Sequence, residues 1–234
     1  MLKHLQNKVL GYSPVGQGGN TPYPFDALFG KFQNILTKGC EGIDCLVLWG
    51  GTDISTHFYN EPKGKYTQHP AVHRDVDEWN ALLYCKKHNI PVIGVCRGAQ
   101  LGCAFAGGKL IQDINNHVGG NHDITTVDGL TFSSTSCHHQ LMYPWDVPHE
   151  LIAWSTDRRS NHYLNGHNLP VAQAAEMPEP EIVYFPEIRL LGIQGHPEWA
   201  PEKSQYVQYC LQLVVKHLFP SHHEISLLSP AESV

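Results

Sequence analysis

Two short apolar runs constrain this chain more than any other feature. Cys45-Leu-Val-Leu-Trp49 stops at Gly50-Gly51, and Pro91-Val-Ile-Gly-Val95 stops at Cys96. Neither run is interrupted by a polar residue, which is the pattern of a strand buried on both faces of its sheet. Helical spacing appears where such a sheet needs cover. Residues 75–88 predict a helix, with Asp75 near its start and Pro91 beyond its end, and Cys96–Phe105 predict another directly after the second run. Residues 8–12 predict a short first strand. Residues 26–38 predict a helix with Ala27, Leu28, Phe32, Ile35 and Leu36 on one face. Residues 201–218 predict a last helix, with Tyr206, Val207, Cys210, Leu211, Val214, Val215 and Leu218 at helical spacing and Pro201 near the start, where its missing N–H costs little. Residues 109–135 and 150–195 read as strand-like and turn-rich. Alternating strands and helices predict an α/β fold with a mainly parallel sheet. The Gly/Pro-rich stretches at 11–24 and 60–70 read as loops. The polar segment 220–234 reads as a frayed tail, which leaves 1–219 as one domain.

Charge and composition remove other classes. The 234 residues carry 16 Lys and Arg against 22 Asp and Glu, a formal net charge of −6. That balance argues against a nucleic-acid partner. No apolar run approaches the ~18 residues needed to span a bilayer, and the N-terminus lacks the apolar core of a secretory signal. The seven cysteines are scattered without a C-x-x-C pair. They read as free thiols of a reducing cytoplasm, several of them small core hydrophobes. The 16 histidines raise the question of a metal.

The chemistry concentrates at three strand ends. Gly94-Val-Cys96-Arg-Gly98 has the form G-x-C-x-G between a buried strand and a helix, the cysteine version of a nucleophile elbow. A sharp turn there lifts the side chain off the sheet edge and places the sulfur at a helix N-terminus, where the dipole favours thiolate. The N–H of Arg97 can then point at an oxyanion beside the sulfur. A thiol nucleophile needs a base and a group to orient that base. Gly192-Ile-Gln-Gly-His196-Pro-Glu198 follows an apolar strand and supplies both, His196 as base and Glu198 as its orienting carboxylate. The Gly50-Gly51 turn offers backbone N–H groups that can approach a ligand closely and complete an oxyanion hole with Arg97.

Further segments accompany these. Gly50-Gly-Thr-Asp-Ile54 is followed by Tyr59-Asn-Glu61. Arg74-Asp-Val-Asp-Glu78 opens a helix. Cys96-Arg-Gly-Ala-Gln100 leads to Gly107-Gly108, Leu110 and Gln112-Asp113, and Ser136-Cys-His-His-Gln140 lies beyond. In this combination the chain resembles class I glutamine amidotransferase domains, most closely their γ-glutamyl-γ-aminobutyrate hydrolase branch, over roughly residues 8–218. The resemblance implies a flavodoxin-like sheet flanked by helices and a Cys96–His196–Glu198 triad. It implies an oxyanion hole at Gly51 and Arg97, and attack of Cys96 on the γ-carboxamide carbon of glutamine or a γ-glutamyl amine. It also implies a substrate site at Gly50, Gln100, Ser136, Cys137, His138 and His139. No cofactor is implied. The partners implied are a small γ-glutamyl substrate and, in the amidotransferase reading, a synthase that accepts ammonia; a homo-oligomer is compatible with either. The sequence departs from the family at Trp49, where Pro is common, and at Gly195, where a large residue is common. Gly195 predicts a wider leaving-group side. Cys137 stands inside the substrate segment, and the shorter N-terminal part predicts a reduced lid.

Two other chemistries fit less well. A metal site would draw on His117, His122, Asp123, His138 and His139, but none of these has the spacing of a zinc motif on one helix. His138 and His139 are adjacent, so on a strand they face opposite sides, and no metal is expected. An α/β-hydrolase shares the elbow but places its acid before the histidine; here Glu198 follows it.

Overall fold

The computed structural model describes residues 5–14 and 22–220. The tail expected at 220–234 therefore lies outside the described residues except for Pro220. Nine strands form one sheet. They are β1 (Val9–Tyr12), β2 (Lys31–Asn34), β3 (Cys45–Leu48), β4 (Val92–Val95), β7 (Val118–Thr126), β8 (Thr131–Cys137), β10 (Glu150–Ser155), β12 (Pro180–Phe185) and β13 (Leu190–Ile193). The short strands β5 (Lys109–Ile111), β6 (Asp113–Ile114), β9 (Leu141–Tyr143) and β11 (Tyr163–Leu164) pair off separately. The order across the large sheet is β2-β1-β3-β4-β13-β12-β10-β7-β8. The first five strands are mutually parallel, and counted among themselves they follow the 2-1-3-4-5 order of a flavodoxin-like sheet. The remaining pairings are antiparallel. Of the nine strands only β12 and β7 oppose the others, since each successive antiparallel step restores the direction. The sheet is thus a mostly parallel one with an antiparallel wing.

Helices cover both faces, and the alternation within the buried strands shows why. Cys45, Val47 and Trp49 face the core formed with α4 (Gln205–Leu213), whereas Leu46 and Leu48 face that formed with α2 (Val72–Lys87) and α3 (Arg97–Phe105). A strand apolar at every position is satisfied only between two such layers. The last helix begins at Ser204, whose side chain caps the N–H of Val207, and closes in a π turn at Val214–Leu218. No helix of the described residues is long and apolar enough to cross a membrane.

One expected element is replaced. The helix expected over 26–38 is instead a 3-10 turn at Phe25–Ala27, edge strand β2 and the single helical turn α1 (Ile35–Lys38). Gly30 breaks the run because it passes against the Gln6 carbonyl, where a Cβ would clash. Lys31–Asn34 then pair in parallel with β1, and Asn34 caps the next turn through Leu36 N–H at 2.9 Å. Phe32 and Leu36 are exposed, so the expected apolar face has no core to meet. Tertiary pairing overrides the local period.

Glycines set the depth of the elbow. A Cβ on Gly94 would meet the Gly98 carbonyl oxygen at 2.6 Å, and one on Gly98 would collide with the backbone of Leu48. The start of α3 thus lies directly on β3 and β4. Gly98→Ala is expected to destabilise the fold by about 1–3 kcal/mol, the usual result of overpacking; an unchanged denaturant midpoint would refute this packing.

Candidate active site

The sheet register brings the three sequence segments together. Leu48 of β3 pairs with Gly94 of β4, and Val95 of β4 pairs with Ile193 of β13. The residues just past these neighbouring carboxyl ends are Gly50-Gly51, Cys96 and His196. Ligands of open α/β sheets bind at such ends.

Cys96 has φ 50° and ψ −106°, and it caps α3. A non-glycine residue at positive φ is held by its surroundings at some cost. Here the backbone N–H of Cys96 donates to the Ile193 carbonyl at 2.7 Å, and its carbonyl accepts from Gln100 N–H at 3.0 Å. The strained turn is therefore clamped from both sides. His196 and Cys96 stand together against Gly50, and the imidazole Nδ1 lies 2.7 Å from Glu198 Oε1. The imidazole and the carboxylate are both almost fully buried. Burial lowers the His196 pKa, but the hydrogen bonds and charges of Cys96 and Glu198 outweigh it and raise it to about 10. A residue normally titrating near 6.5 is thus held as imidazolium at neutral pH.

Gly50 is wedged between the side chains of His196 and Cys96. A Cβ there would meet His196 Cε1 at 2.6 Å and the Cys96 Cβ at 3.5 Å. Gly51 has φ 150°, and a Cβ on it would run into the guanidinium of Arg74. Only glycine fits at either position. Arg74 secures this turn by donating to the Gly50 carbonyl at 2.9 Å and the Trp49 carbonyl at 2.8 Å. Glu78 receives Arg74 Nε at 2.7 Å and also pairs with Arg97, which pairs in turn with Asp75. Asp75 accepts the Ser55 N–H at 2.9 Å. The Arg74-Asp-Val-Asp-Glu78 segment is thus the buried ion network that joins the glycine turn to the elbow.

Three sets of contacts around the site were not legible in the sequence. Thr135 of β8 clamps the His196 backbone, accepting its N–H at 2.7 Å and donating to its carbonyl at 2.9 Å. Trp199 lies flat on the imidazole, with ring centres 3.7 Å apart and planes 4° from parallel. Asp53 reaches the opposite wall, where it meets His139 Nε2 at 3.0 Å and the Gln140 side-chain amide at 3.1 Å. In the sequence Asp53 is one polar residue after a glycine turn, and its partners lie more than eighty positions away.

The expected substrate residues are placed unevenly. Gln100 donates its amide to the Gln140 carbonyl at 3.1 Å, and Ser136 donates to the His117 carbonyl at 2.7 Å. The ring of His138 packs 4.6 Å from His117 and its Nδ1 meets the Gln140 carbonyl. Cys137 is exposed and His139 partly so. The Asp53 hydrogen bond raises the His139 pKa over the opposing effect of burial. The widening expected from Gly195 does not occur. A Cβ there would meet Tyr206 Oη at 2.5 Å and both Ser134 Oγ and the Thr135 carbonyl at 2.6 Å, so the position is filled by β8 and α4. Trp49 turns into the core beside Phe25.

Two outcomes follow from this geometry. Glu78→Gln removes one charge from the buried network, leaves two guanidinium groups undercompensated, and is expected to cost about 3–5 kcal/mol in chemical denaturation. Cys96→Ala removes a partner that raises the His196 pKa, so the imidazole should titrate well below 10; an unchanged NMR titration would contradict the Cys96–His196 contact.

Comparisons with known proteins give the family of the chain. A family model described as Peptidase C26 matches residues 27–198. The glutamine amidotransferase-like protein YvdE of Lactococcus lactis is 38% identical over 192 residues, 75% of this chain and 73% of that protein. A Mycobacterium tuberculosis protein named as a glutamine amidotransferase is 33% identical over 171 residues, 68% of this chain and 53% of that protein, so the chain matches about half of that relative's length. Among solved structures, one described as part of a GMP synthase of Thermoplasma acidophilum superposes with a TM-score of 0.58 at 17% identity, covering 94% of this chain and 98% of that one. At that identity the likeness speaks for the fold alone. With the family match extending from the turn before β2 to the orienting carboxylate, the chain belongs to the Peptidase C26 family, within the class I glutamine amidotransferase-like proteins.

Proposed function

We propose that the protein hydrolyses the γ-amide bond of glutamine or of a γ-glutamyl amine through a thioester on Cys96. The observation that carries this reading is the strained, clamped Cys96 set beside His196 at Gly50, with Glu198 2.7 Å from the imidazole. The Cys96 sulfur attacks the amide carbon as thiolate, and the carbonyl oxygen becomes an oxyanion. We assign that oxyanion to the backbone N–H groups of Gly51 and Arg97, at the glycine turn and the helix start. His196 gives its proton to the departing nitrogen, which leaves as ammonia or an amine. Water then adds to the thioester carbon while His196 takes up its proton, and expulsion of the sulfur releases glutamate. Glu198 stabilises the imidazolium at each turn of this cycle without itself accepting the proton.

The α-amino and α-carboxylate end of the substrate is assigned to the wall formed by Gly50, Gln100 and the segment Ser136–His139. Within it, Cys137 and His139 have exposed surface, while Gln100, Ser136 and His138 hold the wall's shape through their internal bonds. A second reading, a glutaminase that passes ammonia to a separate synthase, draws support from the carbamoyl phosphate synthase small chain of Buchnera aphidicola, 26% identical over 196 residues, 80% of this chain and 46% of that protein.

Cys96→Ala is expected to abolish glutamate release while the fold persists; retained release in that variant would sink the mechanism. A γ-glutamyl diazoketone should label Cys96 and leave Cys103 and Cys137 unmodified, and an adduct mapped to another thiol would refute the nucleophile. Glutamine and a panel of γ-glutamyl amines offered to the isolated protein separate the two readings. Rapid release of a larger amine supports the stand-alone hydrolase, and ammonia release that begins only on adding a synthase supports the ammonia-delivering glutaminase.

A further inference from the structure

A second buried polar cluster lies on the antiparallel wing, and the reaction above does not use it. His117 stands just before β7, His138 just after β8, and Glu181 on β12. All three are buried, and their ligating atoms lie within 4.8 Å of one another. His117 Nδ1 is 3.7 Å and His138 Nε2 is 3.8 Å from Glu181 Oε1. These separations are too long for hydrogen bonds. They approach the ~3.3 Å edge of a tetrahedron built on metal–ligand bonds of about 2.0–2.1 Å.

Polar groups stand on the far side of each ligand, as they do behind metal ligands. His138 Nδ1 donates to the Gln140 carbonyl at 2.9 Å, which leaves Nε2 as a bare lone pair. His117 Nε2 lies 3.2 Å from Glu179 Oε2 without hydrogen-bond geometry. His122 Nε2 holds Glu181 Oε1 at 2.8 Å. Such outer carboxylates, carbonyls and imidazoles orient metal-binding side chains. On the inner side, His117 Nδ1 and His138 Nε2 are buried without a hydrogen-bond partner and face Glu181 Oε1, whose bond from His122 leaves a second lone pair; the other oxygen, Oε2, is also buried and unpartnered. Unpartnered buried polar atoms are rare and costly unless something satisfies them. The charge also balances, because one divalent cation offsets Glu179 and Glu181 with all the imidazoles neutral.

We propose that His117, His138 and Glu181 bind one divalent transition-metal ion of the zinc type, with His122 and Glu179 orienting the ligands. Imidazole and carboxylate ligands suit such an ion. The ion ties β7, β8 and β12 together and secures the segment Ser136–Gln140, because Ser136 bonds to His117 and Gln140 to His138. It takes no part in the thioester chemistry. Spacing within one element could not reveal this site, since its ligands stand at the start of β7, past the end of β8 and on β12, and Glu181 lies more than forty residues beyond the histidines it meets.

The test uses the full chain without an affinity tag, stripped with a chelator and reloaded with Co2+ or Zn2+. The expected result is one ion retained per chain after gel filtration and cobalt d–d bands of a four-coordinate nitrogen/oxygen site. A sulfur-to-cobalt charge-transfer band would place the ion on a cysteine and overturn the proposal. So would loss of the ion in the double variant His222→Ala/His223→Ala, or failure of the wild-type chain to retain any. Glu181→Gln and His117→Gln should each lower metal affinity by about tenfold or more. If either variant misfolds by circular dichroism, the wild-type stoichiometry and the shift of histidine NMR signals on adding Zn2+ decide the matter, and unmoved His117 and His138 signals refute it.

Discussion

The buried guanidinium of Arg97 is the interaction on which this site depends. It is a fully desolvated charge one residue from the nucleophile, and it is paired with both Asp75 and Glu78 of α2. A buried charge is tolerable only when its partners are fixed, so the pairing locks the start of α3 against α2. Glu78 also holds Arg74, and Arg74 holds the carbonyls of Trp49 and Gly50. The elbow and the glycine turn therefore move as one body. Catalysis by a preorganised site requires this kind of rigidity, because an oxyanion donor that reorients during the reaction loses its advantage.

His196 is restrained by a separate set of contacts. Its backbone is held by Thr135, its ring is pinned by Glu198 and covered by Trp199, and Gly50 leaves it the space to approach Cys96. The thiol and the imidazole are thus presented from the ends of two neighbouring parallel strands, β4 and β13, and the antiparallel wing begins just beyond β13.

Much of this was legible in the sequence because local patterns carry it. The apolar runs at Cys45–Trp49 and Pro91–Val95 became β3 and β4, the elbow followed from G-x-C-x-G, and His196 and Glu198 emerged side by side. What the sequence concealed depends on pairing between distant segments. Lys31–Asn34 has helical spacing yet forms an edge strand, because the apolar positions Phe32 and Leu36 have no core to meet and β1 offers an open edge to pair with. Gly195 looked like an opening until Tyr206, Ser134 and Thr135 filled it. The ion network reads in sequence as an ordinary charged helix start, and only burial reveals that Asp75 and Glu78 point inward.

The position within the sheet of the strands that carry Gly50, Cys96 and His196 has a dynamic consequence. β3, β4 and β13 occupy its middle, between edges at β2 and β8. Proteins open by local steps that begin where contacts are fewest, and segments packed on all sides open last. Fraying of either edge can admit water to peripheral amides while Gly50, Cys96 and His196 keep their mutual positions. Cys96 and His196 are therefore expected to sit beside the slowest-exchanging amides of the sheet, their alignment outlasting the fraying of either edge.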